Sequence, residues 1–277
     1  MPEAPPGFSR REAGGATLLL RDDVAEALVA AGAAEPGGLR AQAHTVYAAG
    51  RGEAFGVDVA GAGAVFVRPY LHGGLLGRLT GELHAGDGRF AGELEALVAA
   101  RAAGVPVPEA LGVVSRPRAL GMRAGWLLLR EERGAVDVLA FLAGDPPPAR
   151  RRAVLATAGR ALRRLHDAGF EHPDLHLRNL LLTPRGDVLV LDLDRVRRHA
   201  ELPRERRLAG LFRFDRHAAK QAARGLPVAR ADRLRVLRAY AGAEWPGRDE
   251  LRALAKRLAA HIERHGSARK GAREAVR

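Results

Sequence analysis

The chain has 277 residues, of which 47% are apolar, so it can form a sizeable packed core, which excludes a wholly disordered protein. It contains no cysteine, which excludes disulfides and thiolate zinc sites and is typical of a reducing compartment. The net charge of +13 predicts an anionic partner such as a nucleotide, a nucleic acid or an acidic membrane surface. Aromatic residues make up 5% of the chain and form no basic stacking platform, so we expect no nucleic acid partner.

The first residues predict a cytoplasmic protein with a flexible start. Residues 1–15 are rich in Pro and Gly and lack the apolar core of a signal peptide. No stretch approaches the roughly 20 apolar residues that span a bilayer. Residues 17–20 then predict a short strand, and 22–31 a helix capped by Asp22 or Asp23.

The next stretch predicts a small antiparallel sheet. Three apolar runs joined by glycine turns are expected to be its strands, at 43–49, 54–59 and 64–70. Gly50 and Gly52 flank the first turn, where the absence of side chains would let backbone amides approach a phosphate.

A helix is predicted at 90–103, with Glu93 at the edge of its apolar face. Prolines then impose an extended segment at 105–108, and a strand follows at 126–129. The composition turns helical after this point, which places a domain boundary near residue 130 and a hinge at 131–134.

The second half of the chain is predicted to be mainly helical. Apolar residues at helical spacing predict helices at 136–142, 149–168, 204–223, 230–241 and 249–264. We therefore divide the chain into a flexible start at 1–15, a sheet-rich part at 16–130, a helical part at 131–264 and a frayed basic tail at 265–277.

The segment 169–197 carries the chemistry. Two apolar runs, 180–183 and 188–191, flank a Pro-Arg-Gly-Asp turn and predict a hairpin. A hairpin would bring Asp174 and Asn179 at one end close to Asp192 at the other. Alone, each of these residues is typical of a turn or a strand end. Together they match phosphoryl transfer from ATP, which needs a base for the attacking hydroxyl and oxygen ligands for Mg²⁺.

Several stretches together resemble the lipopolysaccharide kinase family, and in particular its members that phosphorylate 3-deoxy-D-manno-octulosonic acid (Kdo). They are HPDLHLRNLL at 172–181, VLVLDLDR at 188–195, VRPYLHGGLLG at 67–77, FAGELEALVAARAAGVPVP at 90–108 and the Gly50-Arg51-Gly52 turn. The resemblance implies an α+β, two-lobed protein-kinase-like fold, with a small antiparallel-sheet lobe, a hinge and a helical lobe. It also implies ATP and Mg²⁺ as cofactors.

The resemblance implies a role for each matching residue. Asp174 would be the catalytic base, and Asn179 and Asp192 the magnesium ligands. Nucleotide contacts would come from Gly50, Gly52, Arg68, Glu93 and Glu131. Arg68 would replace the lysine that usually pairs with phosphate, because the first lysine of the chain is Lys220.

Two differences between this sequence and the protein kinases indicate which class of acceptor it phosphorylates. Pro173 stands where such kinases carry a regulatory arginine, and no glycine completes the metal motif after Asp192. A constitutive kinase for a small molecule or glycolipid fits these departures better than a protein kinase.

The resemblance implies the 4-hydroxyl of Kdo in Kdo-lipid A as the acceptor, and a peripheral location on the cytoplasmic face of the inner membrane. Basic residues are candidates for binding this acidic glycolipid or an anionic membrane surface: His72, Arg78, Arg195, Arg197 and Arg198. Two alternatives remain open: a kinase of the same fold acting on a heptose, another small molecule or a protein, or a non-catalytic nucleotide-binding module.

Overall fold

The structure is a computed structural model that describes residues 3–49, 52–70, 84–118 and 121–242, and residues 253, 256 and 260 singly. Its contacts divide the chain into two units. Unit 1 comprises Met1–Ala102, Val107–Arg133 and Leu193–Arg195, and unit 2 comprises Ala103–Pro106, Gly134–Asp192 and Val196–Arg277. The chain passes from unit 1 to unit 2 after Ala102, after Arg133 and after Arg195, and the second of these crossings lies inside the predicted hinge.

Unit 1 is built on an antiparallel sheet of eight strands. They are β1 (Phe8–Ala13), β2 (Ala16–Arg21), β3 (Thr45–Ala49), β4 (Gly52–Val59), β5 (Gly63–Pro69), β6 (His84–Ala85), β7 (Ala110–Pro117) and β8 (Met122–Arg130). Seven strands follow the order β1-β2-β7-β8-β5-β4-β3, and β6 pairs with β8. The predicted sheet of β3, β4 and β5 is confirmed, with Phe55 opposite both Val46 and Val67.

Within the described residues, helices α1 (Ala25–Ala30), α2 (Pro36–Ala41) and α3 (Gly88–Ala102) accompany this sheet. Leu18 and Leu20 join the core that α1 and α2 cover. Leu19 is also fully buried, since successive side chains of a strand point to opposite faces and β2 is covered on both. The helix α3 contacts β7 and β8, and its buried residues include Phe90, Leu94 and Leu97.

Two elements at the start of unit 1 differ from the predicted ones. Residues 8–13, which the sequence placed in a flexible start, form β1 and pair along its whole length with the buried strand β2. The polar composition of β1 is that of an edge strand with one solvated face. The helix predicted at 22–31 is shortened to α1 and has no side-chain cap, because its N-cap residue is Val24 and not Asp22 or Asp23. The carboxylate of Asp23 binds Arg21 instead.

Unit 2 combines helices with short strands. Its helices are α4 (Val138–Ala143), α5 (Pro148–Asp167), α6 (Arg204–Ala222) and α7 (Arg230–Ala241). Its strands are β9 (Val136–Asp137), β10 (Phe170–Glu171), β11 (Leu180–Leu182), β12 (Val188–Val190) and β13 (Arg197–Arg198). The core of unit 2 includes Leu155, Leu162 and Leu165 of α5, and α5 packs closely on α7 at Gly159.

The predicted helices of unit 2 are largely confirmed by α5, α6 and α7. The helix predicted from residue 136 starts two residues later, because Val136 and Asp137 pair with β11 and Asp137 caps α4 through the amide of Ala140. The predicted helix at 249–264, apart from its singly described positions, and the tail at 265–277 lie outside the described residues. Over the ranges that the structure describes, no helix has the length and apolar character needed to cross a bilayer.

Candidate active site

The predicted hairpin is confirmed. Strands β11 and β12 pair antiparallel, with Leu180 opposite Val190 and Leu182 opposite Val188. A 3-10 turn at Leu177–Asn179 leads into β11, and the amide of Leu191 donates to the carbonyl of Asn179 at 2.9 Å. Asn179 and Leu191 therefore close the open end of the hairpin, immediately before Asp192.

His172 ties the two sides of this end together. Its Nε2 lies 3.1 Å from the carbonyl oxygen of Leu191, and its Nδ1 accepts from the amide of Asp174 at 3.1 Å. Both bonds require the neutral ring with its proton on Nε2. Burial lowers the pKa of His172 and favours this neutral form. His172 thus fixes the backbone at Asp174 relative to the residue that precedes Asp192.

The carboxylate of Asp174 faces solvent, with its side chain 76% exposed. Its partner is Nε2 of His176, at 3.4 Å from Oδ2. The ring of His217, on α6, stacks on His176 with centroids 4.8 Å apart, and burial lowers the pKa of His217 to about 4. The sequence analysis missed both histidines. His176 could have been found from its place two residues after Asp174, whereas His217 comes from a distant helix.

Asn179 and Asp192 fit a magnesium site chemically. The Nδ2 of Asn179 donates to the carbonyl of Asp174 at 2.9 Å, which leaves Oδ1 as the ligand atom. Asp192 has a left-handed backbone with φ of +60° at the end of the hairpin. In the part of the chain that the structure describes, no group of three or more His, Asp and Glu residues could hold a metal by itself. One carboxylate and one amide suit Mg²⁺, which usually keeps water and phosphate oxygens as its other ligands.

Unit 1 pairs Arg68 with Glu93. Nη2 of Arg68, on β5, donates to both carboxylate oxygens of Glu93, on α3, at 2.7 and 2.8 Å. The spacing alone predicted Glu93 at the edge of the apolar face of the helix. Its side chain is only 1% exposed, so the residue lies inside unit 1. The guanidinium of Arg68 also lies 5.5 Å from the ring centroid of Tyr70. Arginine therefore forms the ion pair that the resemblance leads one to expect of a lysine.

Glu131 has a buried carboxylate that other side chains already hold. The hydroxyl of Tyr47 donates to it at 2.7 Å, Nε of Arg133 donates at 3.1 Å, and Nε2 of His44 lies 3.0 Å away. Burial and the bond to Glu131 raise the pKa of Tyr47 to about 12. The amide of Glu131 also donates to the carbonyl of Ala64 at 3.0 Å. Because both groups are engaged within unit 1, a nucleotide contact at Glu131 would have to use its carbonyl oxygen.

The remaining predicted residues are placed only in part. Gly52 begins β4 opposite Ala49, whereas Gly50 lies outside the described residues, as do His72 and Arg78. Arg195 is 73% exposed, and the exposed residues Arg197 and Arg198 form β13. The described arginines are thus accessible to an anionic ligand.

The chain is similar to proteins of one known family. The model of the "Lipopolysaccharide kinase (Kdo/WaaP) family" matches residues 40–240. A 3-deoxy-D-manno-octulosonic acid kinase of Stenotrophomonas maltophilia R551-3 is 31% identical over 205 residues, which cover 72% of this chain and 79% of the relative. A protein of the same description from Xanthomonas oryzae pv. oryzae PXO99A is 33% identical over 178 residues, 62% of this chain and 69% of the relative.

A solved structure described as "WaaP in complex with acyl carrier protein" has a TM-score of 0.57 at 23% identity and covers 91% of this chain and 98% of the other. That likeness confirms the α+β kinase-like fold. The family match spans most of the chain, and the relatives are kinases of a sugar acid. The chain therefore belongs to the lipopolysaccharide kinase (Kdo/WaaP) family and is a phosphotransferase that acts on a sugar hydroxyl.

Proposed function

We propose that the protein transfers the γ-phosphoryl group of ATP to the 4-hydroxyl of Kdo in Kdo-lipid A, a step of lipopolysaccharide inner-core biosynthesis. The observation that carries the proposal is the end of the hairpin, where Asp174 has an exposed carboxylate. The backbone of Asp174 is bonded to the side-chain amide of Asn179 and, through the ring of His172, to the residue before Asp192. The relatives named as 3-deoxy-D-manno-octulosonic acid kinases support Kdo as the acceptor.

In this proposal Asp174 orients the sugar hydroxyl and accepts its proton. The sugar oxygen forms a bond to the γ-phosphorus, the bond from that phosphorus to the β–γ bridging oxygen breaks, and ADP leaves. A positioned base of this kind contributes about 10²- to 10⁴-fold in rate. An exposed carboxylate suits the role, because the acceptor must reach it within hydrogen-bonding distance.

Asn179 and Asp192 would hold Mg²⁺ through Oδ1 and a carboxylate oxygen. Bound Mg²⁺ would neutralise the charge that develops on the phosphate oxygens. His172 keeps this end of the hairpin in register through its bonds to both sides. In unit 1, Arg68 would bind phosphate oxygens while Glu93 fixes the direction of its guanidinium.

The acceptor and the basic surface are electrostatically matched. Kdo is an acidic sugar on a phosphorylated lipid, and the chain carries a net charge of +13. Exposed arginines such as Arg195 would bind the acceptor or the anionic cytoplasmic face of the inner membrane. Flotation with liposomes tests the membrane part, and binding that does not weaken with salt, or no binding, would contradict it.

The decisive experiment incubates the protein with ATP, Mg²⁺ and Kdo-lipid A and measures the product by mass spectrometry. We expect a gain of one phosphate, located on O4 of Kdo by NMR. If the protein phosphorylated a heptosylated core or a protein and not Kdo-lipid A, the proposal that Kdo is the acceptor would be wrong. Mg²⁺-dependent ATP binding without phosphorylation of any of these acceptors would indicate a non-catalytic module.

A further inference from the structure

A second ion pair of unit 1 involves the segment that follows Asp192. The guanidinium of Arg89, the second residue of α3, binds the carboxylate of Asp194. Nε of Arg89 lies 3.1 and 3.0 Å from the two carboxylate oxygens, and Nη2 lies 2.6 Å from Oδ2. The two side chains are 25% and 13% exposed. This is a partly buried, two-pronged contact of the strong kind.

The position of Arg89 is unfavourable for a helix by itself. The first turn of a helix carries a partial positive charge, which favours acidic residues and disfavours a cation. Asp87, directly before α3, is already paired with Arg123. The negative charge beside Arg89 comes from Asp194, although it lies 105 residues away in the sequence. A residue that breaks a local preference and is compensated from so far away is a candidate for function.

The segment around Asp194 is a turn that most side chains disfavour. Asp192 and Arg195 both have left-handed backbones, with φ of +60° and +61°. Such conformations persist for residues other than glycine when the surroundings hold them. Leu193, between them, is 1% exposed. Residues 193–195 belong by their contacts to unit 1, so the Arg89 pair is one of the contacts that anchor the turn.

An aromatic ring joins this pair to the pair of Arg68 and Glu93. The guanidinium of Arg89 lies 5.7 Å from the ring centroid of Tyr70, and that of Arg68 lies 5.5 Å from the same centroid. Tyr70 is 2% exposed, so both cations contact a buried ring. Each cation has its own carboxylate, Asp194 for Arg89 and Glu93 for Arg68.

We propose that Arg89 and Asp194 form a positioning pair that holds Asp192 in its metal-binding conformation. The pair acts through the backbone of 192–194 and rests on the proposed function, since it assumes that Asp192 binds the metal. Because the contact uses two side chains of the unmodified chain, it aligns Asp192 without phosphorylation of an activation segment. Substitution of residues that support a metal ligand without binding the metal typically lowers the metal affinity 10- to 100-fold.

The test measures metal binding directly and needs no turnover. Mn²⁺, followed by electron paramagnetic resonance, is titrated into the full chain saturated with a non-hydrolysable ATP analogue. We expect Arg89→Met and Asp194→Asn each to weaken Mn²⁺ binding by about 10- to 100-fold. The double variant should be no weaker than either single variant, because both remove the same contact.

A matched control separates positioning from general stability. Arg21 is another partly buried arginine of unit 1, which binds Glu109 as well as Asp23, and the side chains of Arg21 and Glu109 are 22% and 26% exposed. Arg21→Met should lower the unfolding temperature about as much as Arg89→Met does, and should leave the Mn²⁺ affinity unchanged. If Arg89→Met does not fold, Arg89→Lys replaces it, because lysine keeps the charge without the two-pronged geometry.

The two proposals fail in different ways. If the parent chain binds no Mn²⁺ with the nucleotide analogue, the proposed function falls and the positioning pair falls with it. If the parent binds Mn²⁺ and Arg89→Met binds it equally well, the positioning role alone is overturned. Losses that simply add in the double variant would also overturn it, since they would show independent effects.

Discussion

The two units hold their candidate functional carboxylates in opposite ways. In unit 1 the side chain of Glu93 is 1% exposed and accepts two hydrogen bonds from Arg68. In unit 2 the side chain of Asp174 is 76% exposed and lies 3.4 Å from its neighbour His176. Unit 1 therefore assembles its charges before any ligand arrives, whereas unit 2 leaves its reactive group accessible. Substitutions in unit 1 should change stability as well as nucleotide binding, and those at Asp174 should change mainly the rate.

The largest effect is expected for Asp174→Asn. The amide cannot accept the proton of the acceptor hydroxyl, so kcat should fall by about 10²- to 10⁴-fold. The exposed position predicts an unchanged unfolding temperature. Phosphate incorporation into Kdo-lipid A under saturating ATP measures the rate. Asp187→Asn, in the exposed turn of the same hairpin, is the control and should retain the parent rate.

If Asp174→Asn kept a rate within a few-fold of the parent, Asp174 would not be the base. A matching drop in unfolding temperature would instead contradict the contrast between the two units, because it would give Asp174 a structural role.

The next effect is expected for Arg68→Met, which leaves the carboxylate of Glu93 buried without its arginine. Removing one partner of a buried pair costs about 3–5 kcal/mol, and we expect the lower end because Arg68 is 31% exposed. Chemical denaturation measures the loss. The exposed pair of Arg40 and Glu53 is the control, and Arg40→Met should change the free energy of unfolding by less than about 1 kcal/mol. Equal effects of the two substitutions would contradict the prediction.

This contrast also explains what the sequence could predict. Asp174, Asn179 and Asp192 lie within one short segment, and a hairpin is fixed by local alternation and turn residues, so their approach followed from the sequence. The ion pair of Arg89 and Asp194 joins positions 105 apart. A cation in the first turn of α3 breaks a local preference, but the sequence does not show which residue compensates it. Partners that only tertiary packing brings together carry no signal in a single sequence.

The fold shows the same limit. Strongly periodic helices such as α5 were predicted almost to their ends, because one apolar stripe determines both the helix and its buried face. Strand β1 was missed because its three consecutive charged residues, Arg10, Arg11 and Glu12, look like a flexible terminus until β2 lies beside it. Burial of Glu93 was also missed, since spacing places a residue on a helix face but does not reveal a distant arginine.

A third prediction concerns the pH dependence of stability, which the buried His166 of unit 2 should cause. His166 is 1% exposed and bonded to the hydroxyl of Tyr240 at 2.8 Å, and burial lowers its pKa to about 3. In the unfolded chain the imidazole of His166 would bind a proton as the pH falls below about 6.5, whereas in the folded chain it would stay neutral down to a much lower pH. Stability should therefore be lost as the pH falls below about 6.5, by about 2 kcal/mol at pH 5 from His166 alone.

Denaturation at pH 7 and pH 5 measures this loss. The window lies above the titration of Asp167 and Asp232, whose pKa values are lowered from 3.8 by their arginine partners despite burial. His166→Gln should be less stable at both pH values but should lose less stability between them. An equal pH dependence in the parent and in this variant would show that His166 is not the cause.

The smallest effects compare a glycine in a helix of each unit. In α5, a methyl group on Gly159 would lie 2.7 Å from Cβ of Ala239, so Gly159→Ala should push α7 away and cost about 1–3 kcal/mol. In α3, nothing lies within 4 Å of the corresponding position on Gly92. Gly92→Ala should therefore stabilise unit 1 by about 0.5–1 kcal/mol, since alanine is the better helix former. Thermal unfolding of both variants measures the difference. If both substitutions shifted the unfolding temperature in the same direction, the effect of Gly159→Ala would come from helix propensity and not from the contact between α5 and α7.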